Sequence, residues 1–113
     1  MIEVLTTFHK AGWEQYGKRM VETFLQHWPE NINIHLYCEN VQTGIEHPRV
    51  IEHDIFETCP HINGYLEQNN NEYNNGIRNG IRDFKYDAIK FCYKVFAQCH
   101  RIHHSRADTL IFI

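Results

Sequence analysis

The sequence of 113 residues lacks the patterns that mark membrane insertion and export. No run approaches the roughly 20 apolar residues that a membrane-spanning helix needs. Residues 1–5 carry neither a basic region nor a cleavage site of small residues, so we expect no secretory signal there. The glycosylation acceptor Asn-x-Ser/Thr is also absent. These absences predict a cytoplasmic protein without a transmembrane segment.

Excess positive charge and paired cysteines are missing too. The formal net charge is -3 with the nine histidines neutral, which gives no basic surface for nucleic acid. The four cysteines have no C-x-x-C spacing and follow no export signal, so we expect reduced thiols rather than disulfides. Three of them, Cys38, Cys92 and Cys99, have apolar or aromatic neighbours and are expected to behave as small hydrophobes.

Neither glycine-rich phosphate-binding motif occurs, since the sequence contains no G-x-G-x-x-G and no G-x-x-x-x-G-K-[ST]. The first predicted strand ends instead in Thr6-Thr7-Phe8-His9. Two hydroxyls and an aromatic ring can hydrogen-bond and stack on a nucleobase without enclosing a phosphate. The alternative is a strand end whose threonines satisfy nearby backbone groups. On the residues alone, both interpretations stay open.

What the sequence does contain is an alternation of strand and helix patterns. Alternating or continuous apolar residues predict strands at 2–8, 32–38, 50–55 and 107–113. Three- and four-residue spacing predicts helices at 13–28, 60–68 and 83–104, with a loop at 41–49 and a mobile Asn-rich loop at 69–76. The buried stripe of the last helix is predicted to contain Ile89, Cys92, Phe96 and Cys99, widened by Ala88, Phe91, Val95 and Ile102. This order predicts one α/β domain over residues 1–113, with a Rossmann-like, mostly parallel sheet and flanking helices.

Charged residues at the start of the last predicted helix suggest a phosphate-binding function. Lys90 and Lys94 are four residues apart and share a helix face, and Asp87 lies three residues before Lys90 on the same side. One interpretation is that a lysine reaches a diphosphate while Asp87 orients it. The alternative is an exposed Asp–Lys pair that contributes a few tenths of a kcal/mol.

The end of the same helix suggests a separate metal-site hypothesis, with His100, His103, His104 and Cys99 as ligands. His100 and His104 have the four-residue spacing of zinc-binding helices. A structural zinc site uses four closed ligands, however, and Cys99 is predicted to face the buried stripe rather than the histidines. The alternative is a basic helix end, in which Arg101 and protonated histidines complement the helix dipole.

Four segments in this order resemble the amino-terminal half of GT-A-type glycosyltransferases of bacteria and phages, and more distantly the glycogenin-like enzymes. The segments are Val4-Leu5-Thr6-Thr7-Phe8, residues 16–24, Tyr86-Asp87-Ala88-Ile89-Lys90-Phe91-x-x-Lys94-Val95-Phe96-Ala97, and Ala107-Asp108-Thr109-Leu110-Ile111-Phe112-Ile113. The resemblance spans most of the chain except about 41–82. It implies transfer of a sugar from a nucleotide donor, a UDP-sugar, to an unknown acceptor.

The resemblance also implies roles for seven residues. Thr6, Thr7 and Phe8 would line the base and ribose pocket, and Glu39 and Asn40 would approach the nucleoside. Lys90, with Asp87, would approach the diphosphate or the sugar. Lys94 matches the family pattern without an implied contact.

In the family that the chain resembles, the strand that begins at 110–113 runs into an Asp-x-Asp motif that holds a divalent metal, Mn²⁺ or Mg²⁺. The present sequence contains no Asp-x-Asp. We therefore expect a truncated donor-binding part, with the divalent metal bound only in a full-length protein and with no sugar transfer by the fragment. The alternative is a complete small α/β binding or interaction module, which would bury its last strand against a partner or a second copy.

Overall fold

Four parallel strands form the sheet on which the other elements are arranged. The computed structural model describes all residues, Met1–Ile113. The strands are β1 (Ile2–His9), β2 (Asn33–Glu39), β3 (Val50–Asp54), β4 (Asn75–Arg78), β5 (Ile81–Asp87) and β6 (Thr109–Phe112). The helices are α1 (Lys10–Gly12), α2 (Lys18–His27), α3 (Ile55–Thr58), α4 (His61–Asn69) and α5 (Ala88–His104), and a π-helical turn (Trp13–Gly17) joins α1 to α2.

The main sheet has the strand order β3-β2-β1-β6, with every neighbouring pair parallel. The predicted α/β class with a parallel, Rossmann-like sheet is confirmed at this level. The chain moves outward from β1 through β2 to β3 and then returns to place β6 on the other side of β1. This reversal creates a topological switch point, and in open α/β sheets ligands bind beside such points, outside the carboxyl ends of the strands.

Apolar clusters cover both faces of the sheet, which explains why β1 and β2 are almost continuously apolar. On one face, side chains of β1 and β2 pack against Trp13, Val21 and Phe24. On the other face, Leu5 and Tyr37 pack against residues from α3, α4, α5 and the junction of α3 with α4 (Ile55, Cys59, Ile62, Cys92 and Ala97). Burying a Leu, Ile or Phe side chain stabilises the fold by about 1.5–3 kcal/mol. The two clusters therefore hold the sheet between two helical layers.

The predicted helix at 13–28 is confirmed, but the structure places a π-helical turn inside it. Sequence periodicity predicts Tyr16 on the buried stripe, and this prediction is wrong because Tyr16 is 52% exposed. A π-turn holds more residues than an α-turn, so it changes the side-chain register established by α2. Gly17 is required in this turn, since a Cβ there would lie 2.8 Å from the rings of Phe8 and Trp13.

A hairpin replaces the first part of the predicted helix at 83–104. Residues 81–87 form β5, which pairs antiparallel with β4. Asn79 and Gly80 make the two-residue turn with φ angles of 53° and 75°, the left-handed pair that a tight hairpin needs. Gly76 is opposite a bulge at 83–86, where a Cβ on it would lie 2.6 Å from the Asp83 carbonyl. The preceding Asn-rich segment is tied by its own amides, including Asn75 Nδ2 to Asn71 O at 2.7 Å.

The buried stripe of α5 differs from the predicted one. Cys99 is exposed, and Phe91, Val95 and Ile102 are 43%, 56% and 62% exposed, so their prediction as buried is wrong. Arg101 is buried instead, at 7% exposed. The physical reason is that the second half of α5 packs on polar side chains of the sheet rather than on apolar ones. Cys92 and Phe96 of the predicted stripe do pack in the core, so hydrophobic spacing is right for part of the stripe and wrong for its exposed members.

Those polar side chains form a buried network beneath α5. Arg101 Nη1 donates to His35 Nδ1 at 2.8 Å, and His35 Nε2 donates to Glu3 Oε2 at 3.1 Å. His53 Nε2 lies 2.9 Å from the same His35 Nδ1. The Tyr37 hydroxyl lies 2.7 Å from His100 Nδ1. The Tyr37 ring stacks on the His53 ring, with 4.5 Å between their centroids. The network thus links three strands of the sheet to the end of α5.

None of the helices combines the length and apolar character that spanning a membrane requires.

Candidate functional site

A cleft of about 390 Å³ opens at the carboxyl ends of β1 and β2. Its size lies within the range of small-molecule sites. Its walls come from four parts of the chain: the ends of the two central strands, the π-turn, β5 and the first half of α5. The lining residues are Thr7, His9, Tyr16, Glu39, Arg82, Lys90 and Tyr93.

The sheet contributes an oxygen-rich floor to this cleft. Thr7 and His9 alternate along β1 with the buried Thr6 and Phe8, so they project to the α5 side of the sheet. His9 is paired in register with Glu39 at the end of β2. Burial raises the pKa of the Glu39 carboxyl to about 7. Glu39 therefore exchanges its proton near neutral pH and can accept or donate a hydrogen bond.

Gly12 and the π-turn shape the wall nearest β1. A Cβ at Gly12 would lie 2.7 Å from the Tyr16 hydroxyl and 2.9 Å from the His9 ring. The absence of a side chain at Gly12 therefore allows these two groups to approach each other. The Tyr16 ring lies 6.0 Å from the Phe8 ring, which supports it from the core side. The cleft consequently gains an aromatic side chain that is anchored at one edge and exposed at the other.

Two cations, Arg82 and Lys90, line the wall formed by β5 and α5, and both residues are hydrogen-bonded to the buried Asp87. Asp87 is only 2% exposed and caps α5, because its Oδ1 accepts from the Lys90 backbone N–H at 2.8 Å. Its Oδ2 accepts from Arg82 Nη2 at 3.0 Å. Arg82 itself keeps 69% of its side chain exposed. The proposed exposed Asp–Lys pair is thus not the arrangement seen: Asp87 is buried, precedes the helix and pairs with Arg82.

Tyr93 closes the cleft on the α5 side. Burial, with the charge of Glu39 as a smaller cause, raises the pKa of the Tyr93 hydroxyl to about 12. The phenol is therefore neutral at physiological pH and can donate a hydrogen bond. Its ring is held by an edge-to-face contact with Phe56, at 6.1 Å between centroids. Tyr16 and Tyr93 thus give the cleft two aromatic groups with polar tips.

Of the seven residues that the sequence singles out, the structure brings Thr7, Glu39 and Lys90 together in this cleft. Thr6 is buried and donates from Oγ1 to the Ile113 carbonyl at 2.7 Å, and Phe8 is buried in the apolar core. Both side chains lie on the other face of β1.

The two remaining residues of that set also lie outside the cleft lining. Asp87 is beneath the cations, as described above. Asn40 adopts a left-handed conformation with φ of 55° and lines a neighbouring acidic cleft with His53 and Asp54. Lys94 points away from the site, with Nζ 4.7 Å from the centre of the Phe112 ring.

Four lining residues were missed at the level of sequence: His9, Tyr16, Arg82 and Tyr93. Helical periodicity places Tyr16 in the core because it does not detect the π-turn. Arg82 directly precedes the predicted helix at 83–104, whereas in the structure it lies in β5. His9 directly follows the apolar part of β1, a position at which parallel strands present functional side chains, so this signal was available.

The described residues do not form a metal site. No group of three or more His, Cys, Asp or Glu side chains converges in a way that could hold a metal ion. In the hypothesised zinc set, His100 Nδ1 is bonded to Tyr37 and His104 Nδ1 to the His100 carbonyl at 2.9 Å. The cleft itself offers only Glu39 and His9 as potential ligands. The side chains present do not fit a divalent cation.

Comparison with protein-family models, with curated proteins and with solved structures finds no match for this chain. The parallel fold and the chemistry of the cleft are therefore the structural basis for a functional assignment.

Proposed function

We propose that this chain binds the sugar donor of a glycosyltransferase. The donor is a nucleotide-diphosphate sugar, specifically a UDP-sugar, whose sugar is transferred to an acceptor. One observation carries the proposal. A single cleft at the carboxyl ends of the central strands combines hydroxyl-binding groups on one wall with two cations on the other. A nucleoside diphosphate has the same division, with hydroxyls and a base at one end and phosphates at the other.

The nucleoside half of the donor is assigned to the β1 and β2 side. Glu39 at the end of β2 has the position at which Rossmann-type sheets place an acidic residue on ribose hydroxyls. Thr7 supplies a hydroxyl beside it, and Tyr16 offers an exposed ring for stacking on the base. The family resemblance supports the same assignment for Thr7 and Glu39, and the binding roles of Thr6, Phe8 and Asn40 remain predictions from that resemblance alone.

The diphosphate half is assigned to Arg82 and Lys90. A guanidinium can bind two phosphate oxygens in one plane, and a lysine contributes a compact point charge. Asp87 keeps the two cations on the same wall, because one carboxylate binds the Arg82 side chain and the Lys90 backbone. In this role Asp87 positions the cations without contacting the donor.

Sugar transfer also requires stabilisation of the negative charge that develops on the departing diphosphate. In this chain only Arg82 and Lys90 are placed to supply positive charge there. The sequence has no Asp-x-Asp, and no metal-ligating group converges in the structure, so no step is assigned to a metal. The proposal for these residues is therefore donor binding.

The test is a titration with UDP, with and without Mn²⁺, followed by calorimetry and by ¹H–¹⁵N NMR. We expect UDP to shift resonances of Thr7, Glu39 and Lys90. Lys90→Ala should weaken UDP binding by about tenfold, the loss expected for one partly exposed charged hydrogen bond, and should leave uridine binding unchanged.

Lys94→Ala is the matched control, because Lys94 is one turn further along the same helix and outside the cleft. It should bind UDP like the wild type. A folded protein that shows no response at millimolar UDP contradicts the proposal. Equal losses in Lys90→Ala and Lys94→Ala contradict the assigned diphosphate position.

A second candidate function, an interaction module without catalysis, is favoured by one observation. α5 exposes Phe91, Val95 and Ile102, of which Ile102 lies beside the edge strand β6, and exposed apolar surface of this kind marks contacts with other chains. Size-exclusion chromatography separates the candidates. A module that pairs with its own copy elutes as a stable dimer without UDP, whereas the donor-binding proposal requires no such dimer.

A further inference from the structure

The β4–β5 hairpin displays apolar and cationic side chains next to the cleft. Ile81, Phe84 and Tyr86 in β5 are 71%, 65% and 48% exposed, and Tyr73 before β4 is 65% exposed. An isolated two-stranded ribbon is marginally stable because it has no core of its own. Its exposed aromatic rings are therefore not explained by core packing. Tyr73 and Tyr86 share the cation Arg78 and so form one exposed surface, a feature that marks an interaction site.

The two tyrosine rings are held in place by cations of the hairpin itself. The Arg78 guanidinium lies 3.6 Å from the centre of the Tyr73 ring and 4.7 Å from that of Tyr86. Arg78 Nη1 also donates to the Tyr73 carbonyl at 2.7 Å. Lys85 Nζ lies 5.1 Å from the Tyr86 ring. These contacts hold the two tyrosine rings while Tyr73 and Tyr86 stay 65% and 48% exposed, so less rotamer entropy is lost when a ligand binds.

The charge of this region is opposite to that of the rest of the chain. Residues 78–94 contain five of the eleven Lys and Arg residues but only two of the fourteen Asp and Glu residues. The region thus has an excess of positive charge in a chain whose formal net charge is -3. Such a local field attracts an anionic partner and places it at the hairpin rather than elsewhere on the surface.

The hairpin is continuous with the cleft assigned to the donor. Arg82 belongs to β5 and lines that cleft, and Lys90 of the cleft lies 5.8 Å from the centre of the Phe84 ring. A chain lying along Phe84 and Tyr86 would therefore end beside the two cations at the diphosphate end of the cleft.

We propose that the β4–β5 hairpin binds the acceptor, and that the acceptor is an anionic carbohydrate chain. The inference rests on the proposed function, because an acceptor presupposes a sugar donor in the cleft. Aromatic faces stack on the C–H faces of sugar rings, and Arg78 and Lys85 bind carboxylate or sulfate groups on neighbouring rings. Carbohydrate is favoured over nucleic acid because the donor proposed for the adjoining cleft carries a sugar, which a hydroxyl of a carbohydrate chain can accept.

The test compares three ligands of matched length by NMR: hexagalacturonate, neutral cellohexaose and single-stranded hexathymidylate. We expect hexagalacturonate to bind most tightly and to shift resonances of residues 78–91. The double variant Phe84→Ala/Tyr86→Ala should weaken hexagalacturonate binding by about tenfold or more and leave UDP binding within twofold of wild type. Ile102→Ala is the control, since Ile102 is equally exposed on α5 but far along the helix from the hairpin.

The double variant removes two side chains from β5 and could disturb the fold of the hairpin. Lys85→Gln therefore provides a second measurement, because Lys85 is exposed and lies in the bulge of β5. It should weaken hexagalacturonate binding by a few-fold and reduce its salt dependence, with an unchanged amide spectrum elsewhere. Tighter binding of hexathymidylate, or no binding of hexagalacturonate, overturns the proposal. Hexagalacturonate binding without any UDP response overturns the acceptor role and the donor proposal together. A UDP response without hexagalacturonate binding overturns this inference alone.

Discussion

Acidification should destabilise this fold through the histidines buried under α5. Arg101 can only donate to His35 Nδ1, so this nitrogen is an acceptor and His35 carries its proton on Nε2, facing Glu3. His53 therefore donates from Nε2 to the same acceptor. Both imidazoles are neutral in this arrangement. A proton added to His35 removes the acceptor and places a second positive charge beside Arg101.

The direction and size of the effect follow from the pKa values. Burial, with smaller contributions from the charges of His35, Arg101, His100 and His104, lowers the pKa of His53 from 6.5 to about 4. Burial and the Arg101 charge also lower the pKa of His35. For a lowered histidine pKa, the unfolded chain binds the proton more tightly, so stability is complete above pH 6.5 and falls as the pH drops toward 4. Proton binding to His53 alone should lower the free energy of unfolding by about 2 kcal/mol between pH 7 and pH 5.

The Glu3 carboxylate acts in the same direction at lower pH. Burial would raise its pKa, but hydrogen bonds from Ser105 and His35 and the charge of Arg101 outweigh burial, and the net pKa is lowered. A carboxylate with a lowered pKa contributes stability above its unfolded pKa and loses it as the pH falls through the folded one. The loss from the histidines therefore comes first on acidification, and the loss from Glu3 follows.

The measurement is urea denaturation at pH 7 and pH 5, followed by circular dichroism. The wild-type midpoint should fall by roughly 1 M over this range. His53→Gln should lose clearly less stability over the same range, because it has no proton to gain at this site. His27→Gln, an exposed histidine on α2, is the control and should behave like the wild type. If His53→Gln and wild type lose the same stability between the two pH values, the proposed cause is wrong.

Three further predictions concern single side chains. Arg49→Met should lower the free energy of unfolding by about 2–4 kcal/mol in urea denaturation, because the buried guanidinium donates to four backbone carbonyls around the end of α2 and the start of β2. Gly12→Ala should weaken uridine binding measured by NMR, with the melting temperature little changed, since the new methyl group displaces Tyr16 and His9. Uridine binding should strengthen as the pH rises through about 7 if Glu39 accepts ribose hydroxyls in its ionised form, and Glu39→Gln should remove this dependence.

The sequence was sufficient for the parallel sheet and insufficient for the hairpin. The four strands of the sheet are apolar enough to be recognised without context, and their alternation with helices predicts parallel pairing. The β4–β5 hairpin has few apolar residues to show a period, and its residues 83–87 carry the same charged spacing that a helix start would have. Its best signal is Asn79-Gly80, the dipeptide typical of a tight hairpin turn, which an analysis of periodicity does not detect.

The error on α5 has a different origin. Periodicity finds the most apolar side of a helix, and in α5 that side includes the exposed Phe91, Val95 and Ile102. The side that is buried carries His100 and Arg101, because β1 and β2 present Glu3, His35 and Tyr37 to it. Such burial depends on partners that are 60 or more residues away in sequence, and no local pattern contains that information.

The sequence predicts the site residues that lie at the ends of sheet strands, and it does not predict those whose positions depend on irregular backbone. Thr7 and Glu39 follow from the rule that parallel strands present side chains at their carboxyl ends. Tyr16 depends on a π-turn, and Arg82 depends on a bulged hairpin, so neither position can be obtained from a regular period. This division has a functional consequence. The groups assigned to the nucleoside are fixed by a buried sheet, whereas Arg82 belongs to a separate two-stranded ribbon, whose last residue Asp87 caps α5. If donor and acceptor bind as proposed, an acceptor on the hairpin would change the geometry at Arg82 rather than at the groups assigned to the nucleoside.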